Sequence, residues 1–474
     1  MKNLTIEDQT VFTVADDATA DFCARMIVNN LDPDECAETF HLFSLSCVLY
    51  KWNHWAECMP KVHPFYAVKA NPDPVHLRLL AMLGANFDCA SKGEIKQILS
   101  MGLQPERIIF ANTCKPVSAL HYAKQMGVDL MTVDNEEELL KIQKHFPSAR
   151  LVIRIQVGDP TALVQLSKKF GIEPTVQAPN LLRKAVALGL TVVGISFHVG
   201  GMCKDPSTYD RALSHARQIF SVGIELNQPM SLVDIGGGYP GFCSKEVSLL
   251  KISKVVNESI DKHFGELENV SFIAEPGRYF AMPSATVCTQ IFAKRKVQAS
   301  DITDENDQSE TDDGGFFYYI MDGVFGSFNC VPTYSIYPPF EVLGKDKSNL
   351  DPKYPSRIWG PTCDSADVLY KNTELPELQI GDWLMFEGMG AYSACIASSF
   401  NGFDLPNIYY VVTESDKVHL AKLIQERHQK PLERPFTLQI GKEADSDSID
   451  SALGTPDNSS IEGEEADEKE AAFY

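Results

Sequence analysis

From residue 65 onward, short apolar runs rich in β-branched and aromatic residues alternate with longer segments whose apolar positions recur at i, i+3 and i+4. The short runs are "FYAVKA", "NFDCAS", "RIIFAN", "DLMTVD", "RLVIRIQV", "VVGISFHV", "SLVDIGGG" and "SFIAEPGR". Between them lie helix-like segments such as "PVHLRLLAMLG", "KGEIKQILSMG", "PVSALHYAKQMG", "NEEELLKIQKHF" and "APNLLRKAVALG", several ending in Gly, a usual helix stop. Eight strands alternating with helices over about 220 residues predict a (β/α)8 barrel of TIM type. An open doubly wound sheet is the alternative, disfavoured because eight units follow one another without a long break. After "EPGRYF" the pattern changes to short strands and Pro and Gly turns, with no long amphipathic helix until about residue 415, which predicts a β domain. The expected division is an N-terminal segment 1–44 that joins the β domain, a barrel 45–282, the β domain 283–412, and a C-terminal helix with an acidic tail 413–474.

Composition narrows the function. The formal charge of −22 excludes the basic footprint of a nucleic-acid binder. Much of it is local: residues 441–474 carry eleven acids against two lysines, and 301–315 carry seven acids and no base. Both stretches are poor in large apolar residues and read as a mobile tail and a solvated loop. No apolar run is long enough to span a bilayer. The start, "MKNLTIEDQTVFTV", lacks the basic-then-apolar pattern of a signal peptide. The twelve cysteines are scattered without CxxC pairs, so the expectation is free thiols in a reducing cytoplasm. No His, Cys and Asp cluster has metal-ligand spacing, so no metal is expected.

In a barrel of this kind the chemistry gathers where strands end. Those ends carry Lys69, Asp88 with Glu94 beyond it, Asn112, Asp134, Arg154, His198, Asp234 before Gly236, Gly237 and Gly238, and Glu275 before Gly277 and Arg278. A lysine at the end of a strand with apolar flanks is costly unless its amine is used. Three glycines let backbone N–H groups approach an anion, and Arg278 adds a bidentate cation, so the last two strand ends form a phosphate cradle. One rim lysine plus a phosphate cradle suits pyridoxal 5′-phosphate, which needs an amine for its aldehyde and an anchor for its phosphate. Glu275 is then placed to hold the pyridine nitrogen protonated, and His198 to stack on the ring.

The motifs "PFYAVKAN", "FDCASKGEI", "SFHVG", "LVDIGGGYPG", "AEPGRYF", "WGPTCDSAD" and "GAYSACIASSFNGF" resemble, in register from about residue 40 to 412, eukaryotic ornithine decarboxylases of the alanine-racemase-like fold. The resemblance implies a cytoplasmic amino-acid decarboxylase that uses pyridoxal phosphate. It also implies a homodimer whose active sites are completed across the interface. Carried over by position, Lys69 binds the cofactor aldehyde, His198 stacks on the ring and Glu275 partners its nitrogen. Gly236, Gly237, Gly238, Gly277, Arg278 and Tyr392 hold the phosphate, while Asp88, Glu94, Arg154 and Gly201 line the cofactor pocket. Cys363 governs protonation after CO2 loss, and Asp364, Thr333, Tyr334 and Phe400 face the substrate. Cys363 and Asp364 are expected from the partner subunit, and Lys169 and Asp367 match an interface ion pair. Antizyme inhibitors share the fold without catalysis, but this chain keeps Asp88, Arg154, Arg278, Tyr392 and Cys363. The segment "KPVSALHYAKQMG" only partly matches the family's antizyme-binding region, with His121 where a lysine is usual.

Three departures point one way. After "DGVFGSFNC" the ornithine enzymes carry Tyr-Asp-His, where this chain has Thr333, Tyr334 and Ser335. A carboxylate that grips the substrate's ammonium has become a phenol. Losing one partner of such a pair costs on the order of 3–5 kcal/mol, or roughly a thousandfold in specificity at about 1.4 kcal/mol per decade. In "HVGGMCKD", Gly201 replaces a serine and Met202 a glycine, and Phe325 stands where the family has tyrosine. The expected substrate is therefore a neutral aliphatic amino acid, leucine being the best fit. Ornithine or lysine with an altered grip is the alternative.

Overall fold

The structure, a computed structural model, describes residues 4–31, 39–158, 169–244, 247–302, 314–345 and 353–429. Most of the acidic loop read at 301–315, and all of the acidic tail, lie outside the described residues. The chain divides into two compact units. One holds residues 55–65 and 86–275; the other draws on 1–54, 66–85 and 276–433.

Eight parallel strands close into a barrel in chain order. They are β1 (Val62–Ala67), β2 (Asn86–Cys89), β3 (Ile108–Phe110), β4 (Leu130–Val133), β5 (Arg150–Ile155), β6 (Thr191–Phe197), β7 (Leu232–Asp234) and β8 (Ser271–Ala274), and β8 pairs back with β1. The closed form, rather than the open sheet, is what the unbroken repeat predicted. Parallel strands covered on both faces carry continuous apolar runs instead of alternation. Phe65, Ile109, Leu130, Val152, Val193, Leu232 and Ile273, one from each of seven strands, form a single buried cluster. The intervening helices start where a side chain can accept an orphan N–H. Ser91, Asn135 and Ser248 accept from Glu94, Glu138 and Lys251 at the starts of Lys92–Ser100, Glu136–His145 and Leu249–Phe264. Gly127, at φ 78°, ends Val117–Met126 in the left-handed conformation that glycine tolerates best.

The second unit is built on a ten-stranded sheet. Its strand Asn407–Thr413 lies between Gln9–Val14 and Phe40–Ser44, parallel to both. Phe40–Ser44 pairs in turn with Ala285–Val297, antiparallel. The register of that long strand breaks between Ile291 and Ala293, and beyond the break it runs on against Gly315–Ile320. Val287, Ile291, Phe316, Tyr318, Phe328 and Phe386 are central to the unit's core. The described cysteines are all free thiols, and among the described residues no helix is long and apolar enough to cross a membrane.

Candidate active site

In the barrel unit the functional side chains sit on and just beyond the strand ends. Arg154 on β5, Ser196 on β6 and Asp234 on β7 are register partners across one rung. Asp234 is fully buried, and burial pushes its carboxyl up to about 7, with nearby Asp88 adding to the rise. The Gly236 N–H, a hydrogen bond with Glu275 and the Arg154 charge work in the opposite direction. Asp88 on β2 is 1% exposed and Glu275, directly after β8, 9%. Three carboxyl groups thus share a buried region in which Arg154 is the cation acting on Asp234. Such a cluster favours a protonated base between its members.

The glycine run follows β7. Gly236, at φ 65°, donates its N–H to Asp234 Oδ1 at 2.9 Å and accepts from Glu275 N–H at 2.7 Å. His198, the first residue after β6, accepts the Gly200 N–H on Nδ1 at 3.1 Å, which leaves the proton of the neutral ring on Nε2. A Cβ on Gly237 would stand 2.8 Å from that Nε2 and 2.9 Å from the Glu275 carbonyl oxygen. Only glycine permits this approach. Glu94 sits in the first turn of its helix, where its N–H donates to the N-cap Ser91 hydroxyl and its carboxylate accepts the Ala90 N–H. Gly201 is half-buried. Its neighbour Met202 has φ at 56°, a left-handed conformation that glycine adopts at less cost.

The second unit holds two further groups. In the first, Lys69 lies in a single 3₁₀ turn, Val68–Ala70, and is exposed between two buried neighbours. This corrects the reading of Lys69 as the last residue of an interior strand. The strand stops at Ala67, whose N–H donates to the Pro276 carbonyl at 3.3 Å, and the turn presents the lysine outward. A Cβ on Gly277 would meet Ala70 Cβ at 2.9 Å. The Tyr392 N–H donates to the Ala70 carbonyl at 2.9 Å. The Arg278 guanidinium lies 4.5 Å from the centroid of the Tyr392 ring and 5.9 Å from that of Tyr334.

In the second group, Cys363 and Asp364 are exposed on the loop that follows Lys353–Trp359. The Cys363 N–H donates to Asn401 Oδ1 at 3.1 Å, and Asp364 Oδ1 accepts the Ala366 N–H at 2.8 Å. Phe400 packs against Phe325, the ring centroids 4.7 Å apart and the planes tilted by 40°. Thr333 donates its hydroxyl to Asn329 Oδ1 at 2.8 Å. Asp367 is buried at 1% exposure and accepts from its own chain on both oxygens. Lys169 is exposed, its ammonium 5.0 Å from the Phe170 ring centroid. Among the described residues there is no metal-binding group of His, Cys, Asp and Glu.

Residues 45–282 match the pyridoxal-binding domain of the pyridoxal-dependent decarboxylases. The ornithine decarboxylase of Panagrellus redivivus is 42% identical over 416 residues, covering 87% of this chain and 93% of that protein. The chain belongs to the ornithine-decarboxylase-like family of pyridoxal-dependent decarboxylases. Antizyme inhibitor 2 of Xenopus laevis is 41% identical over 386 residues, 81% of this decarboxylase and 84% of the inhibitor. The crystal structure of the arginine decarboxylase of Paramecium bursaria Chlorella virus superposes with a TM-score of 0.75 at 35% identity, covering 82% of this decarboxylase and all of the viral enzyme. The cofactor of this decarboxylase is pyridoxal phosphate. The donor set fits it: buried carboxyl groups suit a protonated pyridine nitrogen, and the N–H-rich glycine run suits a phosphate.

Two residues carried no role in the sequence reading. Cys395 Sγ lies 3.6 Å from the Lys69 carbonyl oxygen and 3.5 Å from that of Ala70, and burial pushes its thiol pKa up. Asn401, at φ 57°, holds the Cys363 N–H. The Asn-Gly pair in "SSFNGF" was the available signal, because Asn tolerates left-handed backbone better than other non-glycine residues.

Proposed function

We propose that this decarboxylase acts on a neutral aliphatic amino acid, leucine by preference, and releases CO2 and the branched primary amine. What supports this most is Tyr334, a phenol where the ornithine enzymes carry a second carboxylate. Asp364 ties one oxygen, Oδ1, to the Ala366 N–H of its own turn at 2.8 Å. Next to that loop, through Asn401, stands the apolar pair Phe325 and Phe400. Tyr334, in place of an aspartate, lies toward Arg278. Together these features favour an apolar side chain over a second ammonium, whose desolvation without a full set of partners is costly.

When bound, pyridoxal phosphate supplies an aldehyde for the amino group and a ring that draws off the electron pair left by CO2 loss. The remaining work falls to the chain. Lys69 supplies the amine that holds the cofactor between turnovers. Glu275 would keep a proton at the ring nitrogen, and His198 would stack on the ring. Gly236, Gly237, Gly238, Gly277, Arg278 and Tyr392 bind the phosphate, with Asp88, Glu94, Arg154 and Gly201 as the pocket's support. Cys363 delivers the proton to the substrate carbon. In this reading the enzyme is a homodimer in which Cys363 and Asp364 serve the site of a second copy, with Lys169 and Asp367 at the interface.

The test is amine release by the purified protein with pyridoxal phosphate, leucine against ornithine at equal concentration. Branched amine from leucine with little diamine from ornithine is the expected result; a preference for ornithine sinks the specificity reading. Ornithine is the second reading, because relatives 42% identical are named ornithine decarboxylases. Lys69→Ala is expected to abolish the visible absorption band of the lysine-bound cofactor, which checks the lysine's role independently of substrate.

A further inference from the structure

The loop that carries Cys363 is fastened at almost every peptide. Asp367 Oδ2 accepts both the N–H of Thr362 at 3.0 Å and its hydroxyl at 2.7 Å, while Oδ1 accepts the Val324 N–H at 2.8 Å. The Gly360 N–H donates to the Asp367 carbonyl at 2.8 Å, and the Asp367 N–H to the Asp364 carbonyl at 3.0 Å. Space for the carboxylate exists only because glycines surround it. A Cβ on Gly323 would stand 2.1 Å from Asp367 Oδ1, and one on Gly360 2.2 Å from it. From the other side Asn401, held at φ 57°, accepts the Cys363 N–H at 3.1 Å. Asp322, fully buried behind the same turn, accepts the N–H groups of Gly323 and Ser327 at 2.8 and 2.9 Å. Asp322 therefore braces the segment that bears Val324.

A buried carboxylate that holds Thr362 with one oxygen and Val324 with the other fixes the loop to a neighbouring segment more firmly than an exposed turn fixes itself, because charged acceptors make the stronger hydrogen bonds. Asn401 adds a second hold in a conformation that most residues avoid. One oxygen of Asp367 ends on Thr362, the immediate neighbour of Cys363, and Asn401 ends on Cys363 itself. We infer that Asp367 and Asn401 are positioning residues for Cys363: together they fix where its thiol stands, and so which carbon receives the proton after CO2 loss.

This inference rests on the reading of Cys363 as proton donor, and its chemistry can be balanced. With the proton on the substrate carbon, the amino acid gives CO2 and the amine, and the cofactor aldehyde is recovered. With the proton on the cofactor carbon, amino acid plus cofactor aldehyde give CO2, the one-carbon-shorter aldehyde and the amine form of the cofactor. The second outcome needs no further oxidant or reductant.

Two variants test the clamp. Asp367→Asn keeps the shape and removes the charge. Asn401→Gly keeps the left-handed backbone and removes the acceptor. The first readout uses cofactor-free protein: the alkylation rate of Cys363 by iodoacetamide, followed on its peptide by mass spectrometry with Cys114, also exposed, as the internal reference. From the strengths of charged and neutral hydrogen bonds, the expected acceleration is about tenfold or more for Asp367→Asn and about threefold for Asn401→Gly. The second readout is the ratio of aldehyde to amine from the loaded enzyme, expected to rise in both variants. Wild-type alkylation rates and product ratios in both variants overturn the inference. Should Asp367→Asn fail to fold, Asn401→Gly alone decides it. Cys363→Ala separates the two layers: an unchanged product ratio there overturns the role of Cys363 itself, while the alkylation rates still judge the clamp.

Discussion

Replacing Asp234 by asparagine should make the cofactor-free protein more stable, and only above acidic pH. Asp234 is fully buried, and its carboxyl is raised from 3.8 to about 7, chiefly by burial. A carboxyl raised in the folded state binds its proton more tightly there than in the unfolded chain. Its stabilising contribution is complete below pH 3.8 and is lost as pH climbs through the folded value near 7. A rise of roughly three units at about 1.4 kcal/mol each sets an upper limit of about 4 kcal/mol for that loss. Asparagine has no proton to lose and can still accept the Gly236 N–H, which lies 2.9 Å from Asp234 Oδ1. The two proteins should therefore have nearly equal urea midpoints near pH 4 and diverge toward pH 7, the variant ahead, with a constant gap beyond. Paired urea titrations across that range, without cofactor, measure the gap directly, and other acids cancel in the difference. Adding pyridoxal phosphate should narrow it, because a protonated ring nitrogen offsets the charge that Asp234 acquires. A gap that stays flat from pH 4 to pH 8 would refute the reasoning.

Three further outcomes can be checked. Met202→Gly should raise stability by about 0.5–1 kcal/mol, the relief of a left-handed non-glycine residue less the extra freedom of glycine in the unfolded chain; a thermal melt with no gain contradicts it. His76 is fully buried between Phe43 and Tyr66, with no hydrogen-bond partner on either ring nitrogen, and burial lowers its pKa to about 3. Since an unsatisfied buried polar group costs about 1–3 kcal/mol, His76→Leu should be neutral to stabilising by urea unfolding. Tyr334→Asp should move the preference toward ornithine by at least about tenfold in relative kcat/KM, within the range that restoring a charge partner allows. An unchanged ratio would place specificity elsewhere.

Where the sequence was readable, a physical reason made it so. Strands buried on both faces must be apolar throughout, so "RLVIRIQV" and "VVGISFHV" announced β5 and β6 without ambiguity. Strand ends were less legible. "SLVDIGGG" yields only Leu232–Asp234 as strand, because Gly236 turns to positive φ and donates its N–H to the Asp234 side chain. "FYAVKA" looked extended through Lys69, yet the chain leaves the strand at Ala67 for a turn whose carbonyls are bonded by residues more than 300 positions away. Periodicity cannot report such contacts. The same holds for Asn401 and Cys363, which meet across 38 residues. Asp367, read from resemblance as an interface partner, is buried and also holds Thr362 and Val324 of its own chain, and nothing in "WGPTCDSAD" distinguishes a buried carboxylate from an exposed one.

The place of Asn407–Thr413 between Gln9–Val14 and Phe40–Ser44 has a consequence for synthesis. The first strands of the chain cannot be completed until the last one leaves the ribosome. At about 5–20 residues per second, the intervening stretch takes on the order of 20–80 seconds to translate. Throughout that interval Gln9–Val14 lacks its parallel neighbour and Phe40–Ser44 presents an open edge, the kind of surface that invites mispairing. The barrel strands are translated meanwhile and do not depend on the missing one. A nascent chain stalled before residue 407 should leave the first strands open to protease, whereas extension well past residue 413 should close them, so the sheet becomes whole only when this strand emerges.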